Sequence, residues 1–308
     1  MPAFFVGLLL VLAIFLFYIW LIMPESGGRQ KGSFLLGKNI AHRGLYNNSA
    51  GIPENSLEAA RQSFLCGHGM EFDLQLSADG RIMVFHDRSL KRMTGVEKDV
   101  DELTCRELTD LSLLGTRQTL PTFEQYLEIA AGKIPLIIEL KTCKNREDMQ
   151  TLCSKTAELL DGYSGKFVIE SFDPRIVAWF RKNRPQYIRG QLACIEGEEG
   201  QNLLSRFALA FLLLNFLGRP HFIAYEHTQF RNPSFLLCRA MGALTVGWTV
   251  ADLDSYKKAQ RIFDAIIFEN ILPANSYPKT APAKIMLAVN QSEVAAKTVI
   301  HSPKHKKM

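Results

Sequence analysis

Short polar clusters interrupt the apolar runs of this 308-residue sequence, and their residue types could hold a cation and move protons. The first reads Ala41-His42-Arg43-Gly44, the second Glu71-Phe72-Asp73, the third Phe85-His86-Asp87. Ile138-Glu139-Leu140-Lys141 and Ile169-Glu170-Ser171-Phe172-Asp173 follow. On a strand, residues i and i+2 share a face, so Glu71 and Asp73 would point into the same space. Such a pair is most often a solvated strand face, but Met70, Phe72, Leu74 and Leu76 around it favour an internal site. Two carboxylates held together are costly without a cation. An all-oxygen set suits Mg²⁺, Ca²⁺ or Mn²⁺, with Glu139 as a third ligand and Lys141 facing the same way. His42 and His86, each at a strand end beside a polar partner, suggest an acid/base pair. Phosphate esters are a natural substrate for such a set, because the cation and Arg43 would stabilise charge on phosphoryl oxygens.

The elements that must position these groups alternate along the chain. Candidate strands are Asn39–His42, Met70–Leu76, Arg81–His86, Ile134–Lys141, Lys166–Glu170, Tyr187–Leu192, Phe222–Tyr225, Ala243–Thr249 and Ala265–Phe268. Candidate helices between them are Asn55–Cys66, Thr122–Ala131, Arg146–Leu160, Pro174–Lys182, Asn202–Leu217 and Ser255–Arg261. Strand–helix alternation over this length predicts a parallel sheet with helices outside it, and about eight units fit a (β/α)8 TIM barrel. A doubly wound open sheet is the alternative, but no Gly-rich turn follows the first strand. Residues 88–120 are polar and irregular and read as a small insertion at one strand end. The apolar patch at 207–217 reads as a buried barrel helix or as a face lying on a bilayer.

Taken together, the motifs resemble the glycerophosphodiester phosphodiesterases. The matching stretches are AHRG at 41–44, PENS at 53–56, EFDLQLSADG at 71–80 and VFHD at 84–87. LKRMTG at 90–95, LPTFEQYL at 120–127, IIELK at 137–141 and IESFDP at 169–174 continue the order. The resemblance, closest to bacterial members some of which carry membrane segments, implies a (β/α)8 barrel with a small insertion. It implies hydrolysis of a glycerophosphodiester to glycerol 3-phosphate and an alcohol. It implies one divalent cation on Glu71, Asp73 and Glu139, His42 and His86 as general acid and base, and Arg43 and Lys141 on the phosphate. Glu54 and Asn55 would support the site, Glu54 by orienting His42 or backing the metal. Trp248 would form an apolar wall for the substrate. Where the family usually has a Thr-Asp pair after its last strand, this chain has Phe268-Glu269, and Glu269 is the candidate replacement. The alternatives are lysophospholipase D-like cleavage of membrane lipids and a non-catalytic barrel that binds head groups.

The composition frames this reading. A chain with 47% hydrophobic and 10% aromatic residues is not disordered, and no repeat is visible. Residues 3–23 carry no charge and are long enough to cross a bilayer, with Tyr18 and Trp20 near one end. The run lacks the basic start and small-residue cleavage site of a signal peptide, so it is expected to be an uncleaved single-pass anchor. Arg29, Lys31 and Lys38 follow it and predict a cytoplasmic barrel. The expected organisation is an anchor at 1–24, a linker at 25–37, the barrel at 38–275 and a basic tail at 276–308. The six dispersed cysteines suggest neither zinc nor disulfides. A net charge of +5, with Lys304, Lys306 and Lys307 in the tail, does not point to nucleic acid.

Overall fold

A computed structural model of the chain describes residues 2–196 and 202–273. The expected tail at 276–308 lies outside the described residues. Among these residues, eight parallel strands close into a barrel: β1 (Asn39–Ala41), β2 (Gly69–Leu76), β4 (Leu136–Leu140), β5 (Phe167–Ser171), β6 (Arg189–Ala193), β7 (Phe222–Glu226), β8 (Leu244–Val250) and β9 (Ala265–Phe268). Closure is made by β1, which pairs in parallel with both β9 and β2. The fold is therefore the (β/α)8 barrel expected from the alternation.

Strand alternation sorts the side chains. On β2, Met70, Phe72 and Leu74 face outward into the packing with Phe123 and Tyr126 of the Phe123–Ala130 helix, and Glu71 and Asp73 face the barrel axis. The lower barrel interior is apolar, filled by Ile40, Ile137, Val168, Phe222, Leu244 and Val246. The polar groups gather above that layer, at the carboxyl ends of the strands. The outer helices begin with sequence-coded caps. Ser56 accepts from Ala59 N at the Leu57–Leu65 helix, and Asp173 caps the Pro174–Asn183 helix, whose first residue is proline.

Several expectations change. First, β3 (Ile82–Val84) is not a barrel strand but pairs antiparallel with β2, Leu74 opposite Val84. Second, residues 88–120 are not simply a polar excursion: Met83, Phe85, Leu90, Met93, Val100 and Leu108 form a small buried core of their own. Third, the helix expected over Asn202–Leu217 breaks into Leu203–Ala210 and Asn215–Gly218, because Leu212 turns left-handed at φ 57°. A further helix, Pro233–Ala240, is present where none was expected. Fourth, the expected linker at 25–37 is packed structure. It contains a short helix, Gly28–Lys31, and a 3-10 turn, Ser33–Leu35, and Leu35 is fully buried against the barrel floor. Gly28 lies so close to the His221 carbonyl that a Cβ would stand 1.9 Å from it.

The N-terminal helix, Pro2–Ile22, is apolar throughout and long enough to cross a bilayer. Residues 3–17 are exposed, whereas Ile22 is fully buried among Phe235, Cys238 and Leu212. Its last carbonyls are capped by the barrel. Arg219 Nη1 donates to Trp20 O at 2.7 Å and Met23 O at 2.9 Å, and Asn215 Nδ2 donates to Ile22 O at 3.0 Å. These bonds replace the intrahelical partners that a helix end lacks. Cys66, Cys105, Cys143, Cys153 and Cys238 are free thiols.

Candidate active site

The site is built at the carboxyl ends of the strands, the end of this fold where loops converge. β2 sends Glu71 and Asp73 inward, and β4 sends Glu139. Their nearest carboxylate oxygens all lie within 4.8 Å of one another, and all three side chains are buried. Glu170 of β5 adds a fourth carboxylate to the same cavity, and its Oε2 has no hydrogen-bond partner among the described residues.

This crowding sets the electrostatics. Burial pushes Glu71 well above the usual carboxylate range, and repulsion from Asp73, Glu139 and Glu170 adds to it. Burial opposes ionisation of Asp73 as well, but there Lys141, His86 and Arg43 win and hold it well below that range. Lys141 Nζ lies 2.8 Å from Asp73 Oδ1 and 2.6 Å from Glu139 Oε1. Although burial opposes its charge, those two carboxylates raise it above the ordinary lysine value. Asn55 Nδ2 donates to Asp73 Oδ2 at 2.8 Å and fixes that carboxylate from behind.

The two histidines reach the cavity by different routes. His42 follows β1, and its Nδ1 lies 2.7 Å from Glu269 Oε2, with Tyr46 donating to the same oxygen at 3.0 Å. That contact leaves Nε2 facing the carboxylates, 3.9 Å from Glu71 Oε2. His86 arrives on the hairpin rather than at a barrel strand end. The turn after β2 sends β3 back down, and Phe85 N donates to Asp73 O at 3.0 Å. Gln75 then ties the returning chain by donating to the carbonyls of Phe85 (2.8 Å), His86 (3.2 Å) and Asp87 (2.8 Å). His86 Nδ1 is 2.8 Å from Asp87 Oδ1, again leaving Nε2 for the cavity. Burial lowers the His86 pKa; Asp73 opposes this and Lys141 reinforces it.

One position differs from expectation. Glu54 touches neither His42 nor the three-carboxylate cluster. It binds Arg43 Nη1 at 2.6 Å and Arg92 Nη2 at 2.6 Å, and so sets the guanidinium of Arg43 at the rim of the site. Trp248, partly buried, lines the cavity and stands edge-on to Phe172, with ring centroids 5.6 Å apart. Arg43 and Lys141 line the same cavity. Sequence reasoning missed Gln75, Tyr46, Asp87 and Arg92 as supports. Asp87 had a signal in its adjacency to His86, whereas Arg92, although inside the quoted 90–95 stretch, lies 38 residues from Glu54 and nothing in the sequence pairs the two.

An oxygen-rich cluster beside two imidazoles and two cationic side chains is suited to a phosphorylated ligand. Comparison with known proteins points the same way. A family model described as "Glycerophosphoryl diester phosphodiesterase family" matches residues 42–272. A glycerophosphodiester phosphodiesterase of Bacillus altitudinis is 29% identical over 157 residues, which are 48% of this chain and 63% of that protein. A human lysophospholipase D is 28% identical over 160 residues, 48% of each chain. These matches thus span about half to two thirds of the relatives' own lengths. Among solved structures, an Oleispira antarctica phosphodiesterase in complex with the product sn-glycerol-3-phosphate superposes with a TM-score of 0.63 at 22% identity, covering 84% of this chain and 99% of that one.

Proposed function

The chain belongs to the glycerophosphoryl diester phosphodiesterase family, and on that premise we propose that it hydrolyses glycerophosphodiesters to glycerol 3-phosphate and an alcohol with the help of one divalent cation. The observation that carries this reading is the placing of His42 and His86 on one cavity with Glu71, Asp73 and Glu139. The donor set fits a hard cation: three buried carboxylates within reach of one point, with the unpartnered Glu170 oxygen beside them. When bound there, Mg²⁺, Ca²⁺ or Mn²⁺ would supply positive charge against the phosphoryl oxygens and the attacking hydroxyl.

The side chains supply the remaining chemistry. Each histidine has its Nδ1 against a carboxylate, Glu269 for His42 and Asp87 for His86. That contact orients the ring and leaves Nε2 to take or give a proton. The lowered pKa of His86 keeps it neutral near pH 7, competent to accept a proton. The imidazole acting as base takes the proton of the neighbouring glycerol hydroxyl as it attacks phosphorus, and the other protonates the departing alcohol oxygen. Water then opens the resulting cyclic phosphate, with the proton roles reversed. Arg43 and Lys141 hold the non-bridging oxygens, and Trp248 with Phe172 gives the glycerol an apolar wall. Glu54 sets Arg43 and Asn55 sets Asp73.

We read the N-terminal helix as a single-pass anchor and the barrel as cytoplasmic, on the basic residues Arg29, Lys31 and Lys38 that follow the helix. Within the expected organisation, 25–37 then belongs with the barrel rather than with a linker. A second substrate reading, cleavage of lysophospholipids, is favoured by the exposed Leu203, Leu204 and Phe207 on one barrel helix.

The test is a substrate panel on the full chain in detergent, with glycerol 3-phosphate as the readout. Glycerophosphocholine and its relatives should release it. His42→Ala and His86→Ala should each lower turnover by about 10²–10⁴-fold. Turnover unchanged by either substitution would remove the assignment.

A further inference from the structure

We propose that the catalytic mouth of the barrel faces the lipid bilayer and that Ile195, Leu203, Leu204 and Phe207 rest in it, so that substrate enters from the membrane side. The inference about substrate entry rests on the function proposed above; the orientation does not.

The direction of the N-terminal helix carries the argument. Its Tyr18 hydroxyl lies 2.7 Å from Ser234 Oγ, and four residues later Ile22 O accepts from Cys238 Sγ at 3.2 Å. Equal steps along both helices mean that they run side by side in the same direction. The Pro233–Ala240 helix follows β7, so it descends from the carboxyl end of the barrel to the floor. The N-terminal helix therefore descends too, and its exposed residues 3–17 project beyond the catalytic end. The chain that leaves it is tied to the opposite end: Glu25 N donates to Pro220 O at 2.9 Å, and Glu25 pairs with Arg189 at 2.9 Å, both at the amino ends of strands.

Length then places the membrane surface. At 1.5 Å per residue the fifteen exposed residues reach about 22 Å, less than the roughly 30 Å of a hydrocarbon core. Hydrocarbon must extend down to the docked turns at Tyr18 and Trp20, residue types that favour the interface. That level is the rim of the barrel, where the Pro233–Ala240 helix begins.

The rim is shaped for such contact. Leu203 is 81% exposed, Leu204 79%, Phe207 53% and Ile195 52%. All four follow the carboxyl end of β6, and Ile195 N is held by Gln229 Oε1 at 2.7 Å from the loop after β7. Cys194 and Glu196, on either side of Ile195, line the groove that leads to His86 and Trp248. An apolar cluster this exposed, beside the mouth and at the same end as an apolar helix, is suited to burial in the same lipid layer as that helix.

The experiment has two arms. First, the full chain is placed in phosphatidylcholine vesicles that contain a diazirine-tagged phospholipid. After photolysis, adducts should appear in 202–211 as well as in 3–22, with none in the floor segment 28–38. Adducts confined to the N-terminal helix, or found on the floor, would overturn the orientation. Second, the combined Leu203→Glu, Leu204→Glu and Phe207→Glu variant is assayed. These side chains are exposed, so folding should be preserved, as shown by glycerophosphocholine turnover within 2-fold of wild type. Turnover of lysophosphatidylcholine in vesicles should fall at least 10-fold. Equal lysolipid turnover by variant and wild type would overturn entry from the membrane. If wild type cleaves neither substrate, the proposed function fails and the membrane-entry inference falls with it, while the adduct map still decides the orientation.

Discussion

Glu54 shows how a single carboxylate sets the charge order of the mouth. Burial alone would raise its pKa, but Arg92 and Arg43 bring it from 4.5 to about 2. A depressed carboxylate pKa adds stability that is fully present above the unfolded value and is lost as pH falls through the folded one. The shift corresponds to about 3 kcal/mol, so Glu54→Gln should lower the melting temperature most at neutral pH. The gap between wild type and variant, followed by thermal unfolding, should close as pH falls from about 4.5 toward about 2. A gap independent of pH would show that the two guanidiniums do not depend on this charge. Glu269 acts on His42 in another way, through position. Glu269→Gln keeps a hydrogen-bonding oxygen but loses the charge, so kcat should fall about 10-fold or more with KM little changed. A change in KM alone would place Glu269 in substrate binding instead. The alternation made His42, Glu71, Asp73 and Glu139 legible in the sequence, because apolar neighbours pointed outward and left these groups the inward face. The pairing of Glu54 with Arg92 was not legible, since only the folded insertion brings them together.

At the scale of elements, the strands were readable and their roles less so. Ile82–Val84 has the β-branched character of a barrel strand, yet it folds back on β2 and lowers His86 to the level of Asp73. Periodicity reports that a strand exists; direction depends on the five-residue turn at 77–81 before it and on Gln75, whose three bonds to the returning carbonyls have no sequence signature. The helix break at Leu212 is similarly silent, because a left-handed leucine looks like any other. The floor segment was missed for a simpler reason. Phe34-Leu35-Leu36 is too short to show a period, and glycine and basic residues around it read as linker. Leu35 is fully buried, so Leu35→Ala should cost about 2–5 kcal/mol, seen as a lower melting temperature. Leu36, 40% exposed, supplies the control, and its alanine variant should stay within about 0.5 kcal/mol of wild type. Equal effects would mean that the segment does not seal the barrel.

On the scale of the whole molecule, the N-terminal helix is fixed to the barrel by its last turns, and the contacts through Tyr18, Ile22 and Arg219 give it a direction. Arg29 and Lys31, which as a sequence read as flanking charges of a span, lie on the barrel floor. There Arg29 pairs with Asp264 at 2.8 Å and Lys31 Nζ lies 3.2 Å from His221 Nε2. The sequence showed a long apolar run and a barrel; it could not show that the run rises past the catalytic end, because that depends on side contacts more than two hundred residues apart. Cation-assisted cleavage of a glycerophosphodiester can be followed as glycerol 3-phosphate release from glycerophosphocholine by the full chain, before and after chelation. Turnover should be lost in chelator, return with Mg²⁺, Ca²⁺ or Mn²⁺ for wild type, and not return for Glu71→Gln. Full turnover in chelator, or restoration of Glu71→Gln to the wild-type rate, would contradict it.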